Sequence, residues 1–340
     1  TPEFEAKELC ARFTTDVVAT CAFGIRGNAL QNPDCEFRQM GRAIIEPGFW
    51  KNLMFLVITM FPRLSKVFKF SLASPSVYGF FMRIVNEVIT YREQHNVARA
   101  DFLQHLIDIK NRKIEDKDDN VSNGHDSKEI SPSKYKFTEE DVAAQASTFF
   151  VDGYETSSSA LAFTLYALAV NPDVQENLRK EVDSVIEKNG GELDFDGIQE
   201  MAYLEMVLSE ALRKYPPAYF LTKMCTKPYK LETSGGVYEV KPGTPVIVPL
   251  SSLHNDPKYF TDPERFDPER FNDGPRKNIQ KFTYFPFGEG PRLCLGFRFA
   301  VTQVKAGIAS IVHNFEIRPN KRTPIPFVAD PNYFLLAAKG

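Results

Sequence analysis

The stretch Phe287-Gly288-Glu289-Gly290-Pro291-Arg292-Leu293-Cys294-Leu295-Gly296 holds one cysteine inside a glycine-rich loop, directly before an apolar periodic run that reads as a helix. Backbone N–H groups at a helix start point at such a sulfur and favour its thiolate. Gly290 permits a turn that a side chain would forbid. Gly296 lets a flat ligand lie close against the helix, and Arg292 can pair with a carboxylate. A lone cysteine after a turn is ordinarily a buried structural residue. Phe, Gly, Arg, Cys and Gly at these intervals point instead to a site.

Three further groups stand out. Gly153-Tyr154-Glu155-Thr156-Ser157 is a polar cluster in the middle of a long apolar segment. An acid and an alcohol side by side can relay protons, whereas an isolated helical Thr merely bonds back to the preceding turn. Glu210-Ala211-Leu212-Arg213 puts opposite charges at helical spacing; alone, such a pair is usually a solvated surface feature. Pro268-Glu269-Arg270-Phe271 follows, with a near copy at Pro263-Glu264-Arg265-Phe266.

The elements that must position these groups are mostly helical. Apolar spacing predicts a helix over 4–23, broken by Gly24 and Gly27, and another over 77–95. Asp101 N-caps a short helix over 102–110. Over 111–136 charged and small polar residues dominate, and the stretch reads as a mobile loop. Thr138 and Asp141 resemble a capping box that opens a long helix running to about 170, before Asn171-Pro172. That helix is apolar nearly all round, so it should cross the middle of the fold, and the polar groups at its centre need partners or a purpose. Helices over 172–188 and 201–214 follow, the second stopped by Pro216-Pro217. Short strands are expected at 229–231, 237–240 and 246–249, with turns at Gly235-Gly236 and Pro242-Gly243. Residues 251–291 read as a long irregular loop, a length that is usually functional, leading into a helix over 295–314. The fold class is mainly α with small β-sheets, in a single domain over 1–340.

Composition narrows the function classes. The 340 residues are 43% hydrophobic, enough for a sizeable core. Forty-one basic and 44 acidic residues give a net charge of -3, so no global field draws nucleic acid. The five cysteines are scattered with no C-x-x-C pair, which argues against a secreted disulfide framework and a structural zinc site. The five histidines lack metal-ligand spacing and are expected to be surface or capping residues. The longest apolar run, 53–61, is too short to span a bilayer; it reads as a buried helix or as a segment dipping into a membrane surface. The abrupt start at Thr1 reads as a piece of a longer protein.

With these motifs in this order the sequence resembles cytochrome P450. Residues 287–296 match that family's F-x-x-G-x-R-x-C-x-G pattern at every fixed position. The resemblance implies haem b (iron protoporphyrin IX) with Cys294 as the axial metal ligand. Phe287, Gly288, Gly290, Arg292, Gly296, Gly153 and Lys223 would also contribute to holding the cofactor. It implies that Thr156 hydrogen-bonds the iron-bound oxygen and that Glu155 connects it to solvent. Glu210, Arg213 and Arg270 would form a buried ion network that holds the cysteine loop; Arg270 is chosen over Arg265 by its position relative to Cys294. Substrate contacts would come from Phe149, Asp152, Ala218, Tyr219, Phe220 and Phe334. The implied activity is insertion of one oxygen atom from O2 into a small lipophilic substrate, with electrons from NADPH-cytochrome P450 reductase. Arg276, Lys277, Lys281 and Arg298 would face that partner. A haem-thiolate enzyme that rearranges peroxides is disfavoured by Glu155 and Thr156.

Tyr91-Arg92-Glu93, Asp101-Phe102-Leu103 and Leu212-Arg213-Lys214-Tyr215-Pro216-Pro217 resemble the microsomal insect and vertebrate branch. That implies the cytosolic face of the endoplasmic reticulum membrane, with the full-length protein touching the membrane surface. The sequence departs from the family's pattern at two positions. Asp152 stands where a small residue is usual, so its carboxylate must be hydrogen-bonded or protonated. Lys223 stands where this branch usually has an Arg that pairs with a haem propionate, which keeps the charge but not the fork. The family's N-terminal part is also expected to be missing.

Overall fold

The computed structural model describes residues 3–46, 48–61, 74–111 and 137–339. The expected mobile loop lies, beyond Asn111, outside the described residues.

In chain order the helices begin with α1 (Ala6–Val18), which widens into a π turn over Ala19–Phe23 and stops at Gly24, φ 72°. That left-handed stop needs glycine. Then come α2 (Glu36–Ile45), α3 (Phe49–Met60), α4 (Pro75–His95) and α5 (Phe102–Lys110). The long α6 covers Glu139–Val170, followed by α7 (Pro172–Lys188), α8 (Phe195–Glu200) and α9 (Ala202–Lys214). Strands β1 (Leu221–Met224), β2 (Tyr229–Thr233), β3 (Gly236–Val240) and β4 (Pro245–Val248) precede α10 (Leu250–His254), α11 (Asp273–Arg276) and α12 (Phe297–Asn314).

Local chemistry sets the boundaries. The capping box at α6 is reciprocal: Thr138 N–H donates to Asp141 Oδ2 at 2.8 Å, and Asp141 N–H donates to Thr138 Oγ1 at 3.3 Å. Asp101 caps α5 by accepting the Gln104 N–H at 2.9 Å. Strand β1 escapes sequence reading because only its end residues, Leu221 and Met224, are apolar, while Thr222 and Lys223 face solvent. It pairs antiparallel with β4, Leu221 opposite Val248, and β2 forms a separate hairpin with β3.

The residues divide into two compact units. The smaller comprises Arg12–Ile45 and Ala73–Glu155. Its core is an aromatic cluster of Phe23, Phe37, Phe80, Phe81 and Phe150, with ring centroids 5.1–6.3 Å apart. Such pairs add about 0.5–1.5 kcal/mol each beyond the burial of their area. Arg92 is buried there because its guanidinium reaches Asp101 Oδ1 at 2.9 Å and the Phe23 carbonyl at 3.2 Å.

The larger unit comprises Thr1–Ala11, Glu46–Leu72 and Thr156–Gly340. Leu178 and Val182 of α7, Leu204, Val207 and Leu208 of α9, and Val304, Ile308 and Val312 of α12 are all buried. Each fully buried side chain of this kind contributes about 1.5–3 kcal/mol. Helix α3 corrects one expectation. The run over 53–61 is not a buried helix: no residue of α3 is buried, and Phe49 and Trp50 are 75% and 74% exposed. Among the described residues no single helix is long and apolar enough to cross a membrane.

Candidate active site

The cysteine loop is a succession of hydrogen-bonded turns. Gly288 N–H donates to the Phe285 carbonyl at 2.9 Å, and Leu293 N–H closes a single turn onto the Gly290 carbonyl at 3.0 Å. Gly288 and Gly290 hold φ of 78° and 76°, a region closed to most side chains. Cys294 N–H donates to the Phe287 carbonyl at 2.9 Å, which ties the cysteine back across the loop. Helix α12 starts at Phe297, two residues later than the periodicity predicts. Cys294 therefore precedes the helix, and its carbonyl accepts the Phe297 N–H at 3.4 Å.

The Cys294 side chain is exposed, and so are its large apolar neighbours. Leu295 is 85% exposed, Leu293 50% and Phe297 40%; the Phe287 and Phe297 rings meet edge-on at 4.8 Å. A Cβ built on Gly296 would meet no atom within 4 Å. Apolar side chains turned outward around a thiol, beside a glycine with room above it, suit a broad flat apolar group that carries a metal for the sulfur. Arg292 is exposed at the end of the turn.

Glu210, Arg213 and Arg270 come together, and the first two are 0% exposed. All five N–H donors of Arg213 are used. Nε and Nη2 bind Glu210 at 2.7 and 2.9 Å; Nη2 also binds the Pro263 carbonyl at 2.8 Å. Nη1 binds the His254 carbonyl at 2.9 Å and Asn255 Oδ1 at 3.2 Å. Glu210 also accepts the Asp267 N–H at 2.9 Å and Arg270 Nε at 3.4 Å. Arg270 clasps the Thr261 and Asp262 carbonyls at 2.6 and 2.8 Å. Arg265, of the upstream copy, is exposed. A buried pair is tolerated only when its remaining donors and acceptors are met like this.

The polar centre of α6 has partners. Thr14 donates to the Tyr154 carbonyl at 2.8 Å, and Gly153 is where α6 faces Val18, 3.2 Å from the position of a Cβ. Glu155 is buried and Thr156 half-buried. Gln303 Nε2, on α12, donates to Ser157 Oγ at 2.7 Å, with both side chains buried; Lys7 donates to Ser158. Neither Gln303 nor Lys7 is legible in the sequence as a partner of α6. Asp152 is exposed on one side, yet the protein packed around it pushes its carboxyl above the ordinary 3.8.

The candidate substrate residues are placed in two settings. Phe149 stacks on Phe102, centroids 4.1 Å apart. Ala218 pairs with Leu335 in an isolated bridge, which sets 218–220 beside Phe334. Tyr219 fixes the start of α10 by accepting the Ser251 N–H at 3.0 Å, and Phe220 is partly exposed. Phe334 itself stacks on Phe55 of α3 at 5.0 Å, a neighbour the sequence does not disclose. Lys223 is exposed on β1, opposite Val246.

His254 corrects another expectation. It is 0% exposed, not a surface residue. Its Nε2 accepts the Phe285 N–H at 3.1 Å, so the proton sits on Nδ1. Burial pushes the imidazole down to about 4; the Leu212 and Arg213 backbone opposes this and the Arg213 charge adds to it. Tyr284, its ring tilted against the imidazole at 5.2 Å, donates to the Ser209 carbonyl at 3.0 Å.

The family model of cytochrome P450 matches residues 1–340, the whole chain. The chain belongs to the cytochrome P450 family. Membership implies a haem cofactor, which the surroundings of Cys294 suit. Probable cytochrome P450 6a13 of Drosophila melanogaster is 39% identical to this P450 over 99% of the chain. Cytochromes P450 9e2 and 6k1 of Blattella germanica are 38% and 36% identical, each again over 99% of it. The chain spans 62–64% of the length of these three relatives.

Proposed function

We propose that the protein is a haem-thiolate monooxygenase in which the Cys294 thiolate would hold the iron of haem b. The supporting observation is the cysteine itself, its amide tied to Phe287 in a double-glycine turn and its side chain exposed among Leu293, Leu295 and Phe297. When bound, the haem supplies dioxygen binding and O–O cleavage, which the thiolate favours by releasing electron density. Phe287, Gly288, Gly290 and Gly296 shape the apolar bed beside the sulfur. Arg292, and Lys223 with one fork fewer than an Arg, neutralise carboxylates of the cofactor. On α6 the Thr156 hydroxyl would hold a proton, and the buried Glu155 carboxyl beside it would pass a proton toward it. Gly153 keeps that helix slim.

The substrate is a small lipophilic molecule, oriented by Phe149, Ala218, Tyr219, Phe220 and Phe334. Asp152, whose carboxyl is held toward its protonated form, can donate to a polar substrate group. Electrons come from NADPH-cytochrome P450 reductase at the endoplasmic reticulum membrane. The outward apolar side chains of α3 support contact with the membrane surface.

The reduced full-length protein under carbon monoxide tests this. A band at about 450 nm, the mark of thiolate ligation, should appear and should vanish in Cys294→Ala. A parent protein that binds haem without giving that band overturns the proposal.

A further inference from the structure

His254 is wholly buried at the end of α10, and the chemistry above makes no use of it. Its imidazole faces the cysteine loop at one nitrogen and α9 at the other. Nε2 accepts the Phe285 N–H at 3.1 Å. Nδ1 faces the Leu212 and Arg213 backbone, whose carbonyls favour its proton although none lies within close hydrogen-bond reach. The residue's own carbonyl is held by Arg213 Nη1 at 2.9 Å. The rings of Tyr284 and Phe285 lie 5.2 and 5.9 Å from it. Arg213 is the cation beside it, already paired with Glu210, and the Tyr284 phenol ring lies tilted against it.

The Phe285 peptide is where the cysteine loop begins. Its N–H goes to His254; its carbonyl accepts the Gly288 N–H at 2.9 Å; and the Phe287 carbonyl inside that turn accepts the Cys294 N–H at 2.9 Å. A continuous run of hydrogen bonds and covalent links thus joins an imidazole anchored on α9 to the amide of the cysteine. An acceptor that is buried, neutral and locked in one tautomer suits such a fixed joint, because water cannot replace it.

We propose that His254 is a positioning residue for the cysteine loop, fixing the Phe285 peptide so that the turn behind it presents Cys294 in one orientation. The role rests on Cys294 being the haem ligand. It differs from the ion network, which fastens the backbone of 254–270 to α9, whereas the Phe285 N–H is held by the His254 imidazole.

The test compares His254→Phe, His254→Gln and His254→Asn in the full-length holoprotein. Phe fills the space but offers no acceptor. The Gln amide oxygen reaches about as far as Nε2, whereas Asn is too short to reach Phe285. His254→Phe and His254→Asn should reduce the share of thiolate-ligated haem, read from the band at about 450 nm, by roughly threefold. The lost absorbance should reappear at shorter wavelength, where carbon monoxide haem without thiolate absorbs. His254→Gln should restore most of it. Phe271→Leu, which loosens packing on Tyr284, should lower the urea midpoint without changing that share.

Amide exchange gives a readout independent of haem. The Phe285, Gly288 and Cys294 amides should exchange about tenfold faster in His254→Phe than in the parent. Unchanged exchange there overturns the positioning role whatever the spectrum does. A parent without the band, but with faster exchange in the variant, sinks the monooxygenase reading and leaves the joint standing.

Discussion

The ion network on α9 and the cysteine loop before α12 treat their polar and apolar groups in opposite ways. In the network every donor of Arg213 has a partner, Glu210 accepts from three residues, and both side chains are closed off from water. In the loop the backbone is tied by hydrogen bonds, while Leu293, Leu295 and the Cys294 side chain are exposed. One region is finished by the chain alone. The other has its backbone set and several large apolar side chains exposed. The lesson is that a site for a large flat cofactor needs rigidity in the peptide and latitude in the side chains, and the chain supplies the two from different places.

The largest effect should come from breaking the saturated side. Glu210→Ala leaves Arg213 buried without its countercharge and should cost about 3–5 kcal/mol, read from urea unfolding. A loss no larger than that of an exposed pair such as Lys188–Glu200 would erase the contrast.

Acid should open the joint between the two regions next. The His254 imidazole lies below its ordinary 6.5, at about 4, so the folded chain binds fewer protons than the unfolded one between those values. Its contribution is complete above 6.5 and lost as pH falls to about 4, a change of about 3 kcal/mol. Urea midpoints measured down that range should slope less in His254→Gln than in the parent.

A smaller loss should follow Gln303→Leu, which leaves Ser157 Oγ buried without its donor: about 1 kcal/mol, with a double-mutant cycle against Ser157→Ala returning most of it as coupling. The smallest effect should come from the open side. Gly296→Ala adds a methyl where no atom lies within 4 Å, at an ordinary φ of −86°, so stability should stay within about 0.5 kcal/mol of the parent. Haem titration of the same variant should nevertheless show weaker binding. A change in stability with no change in haem binding would reverse the assignment of that face.

Much of this is legible in the sequence alone. Cysteine, glycines and arginine at fixed intervals marked the loop, and the caps at Asp101 and Thr138 placed two helix starts, because turns and caps act over three or four residues. What stayed hidden acts over long separations. His254 meets Phe285 across 31 positions, Gln303 meets Ser157 across 146, and Phe55 finds Phe334 from the far end of the chain. Such pairs leave no periodic trace. Helix α3 shows a related limit: the sequence leaves 53–61 either buried or lying at a membrane surface, because an apolar run states what a segment would bury and not what covers it, and the fold removes the first.

Arg213 has a temporal consequence. Its acceptors outside α9 lie 41, 42 and 50 residues further along the chain. A ribosome making the protein therefore releases the guanidinium with only Glu210 to hold, and the cysteine follows later still. Stalled nascent chains should stay protease-sensitive in α9 until the length passes Pro263, then harden in one step, so cofactor capture must wait for translation to be nearly done.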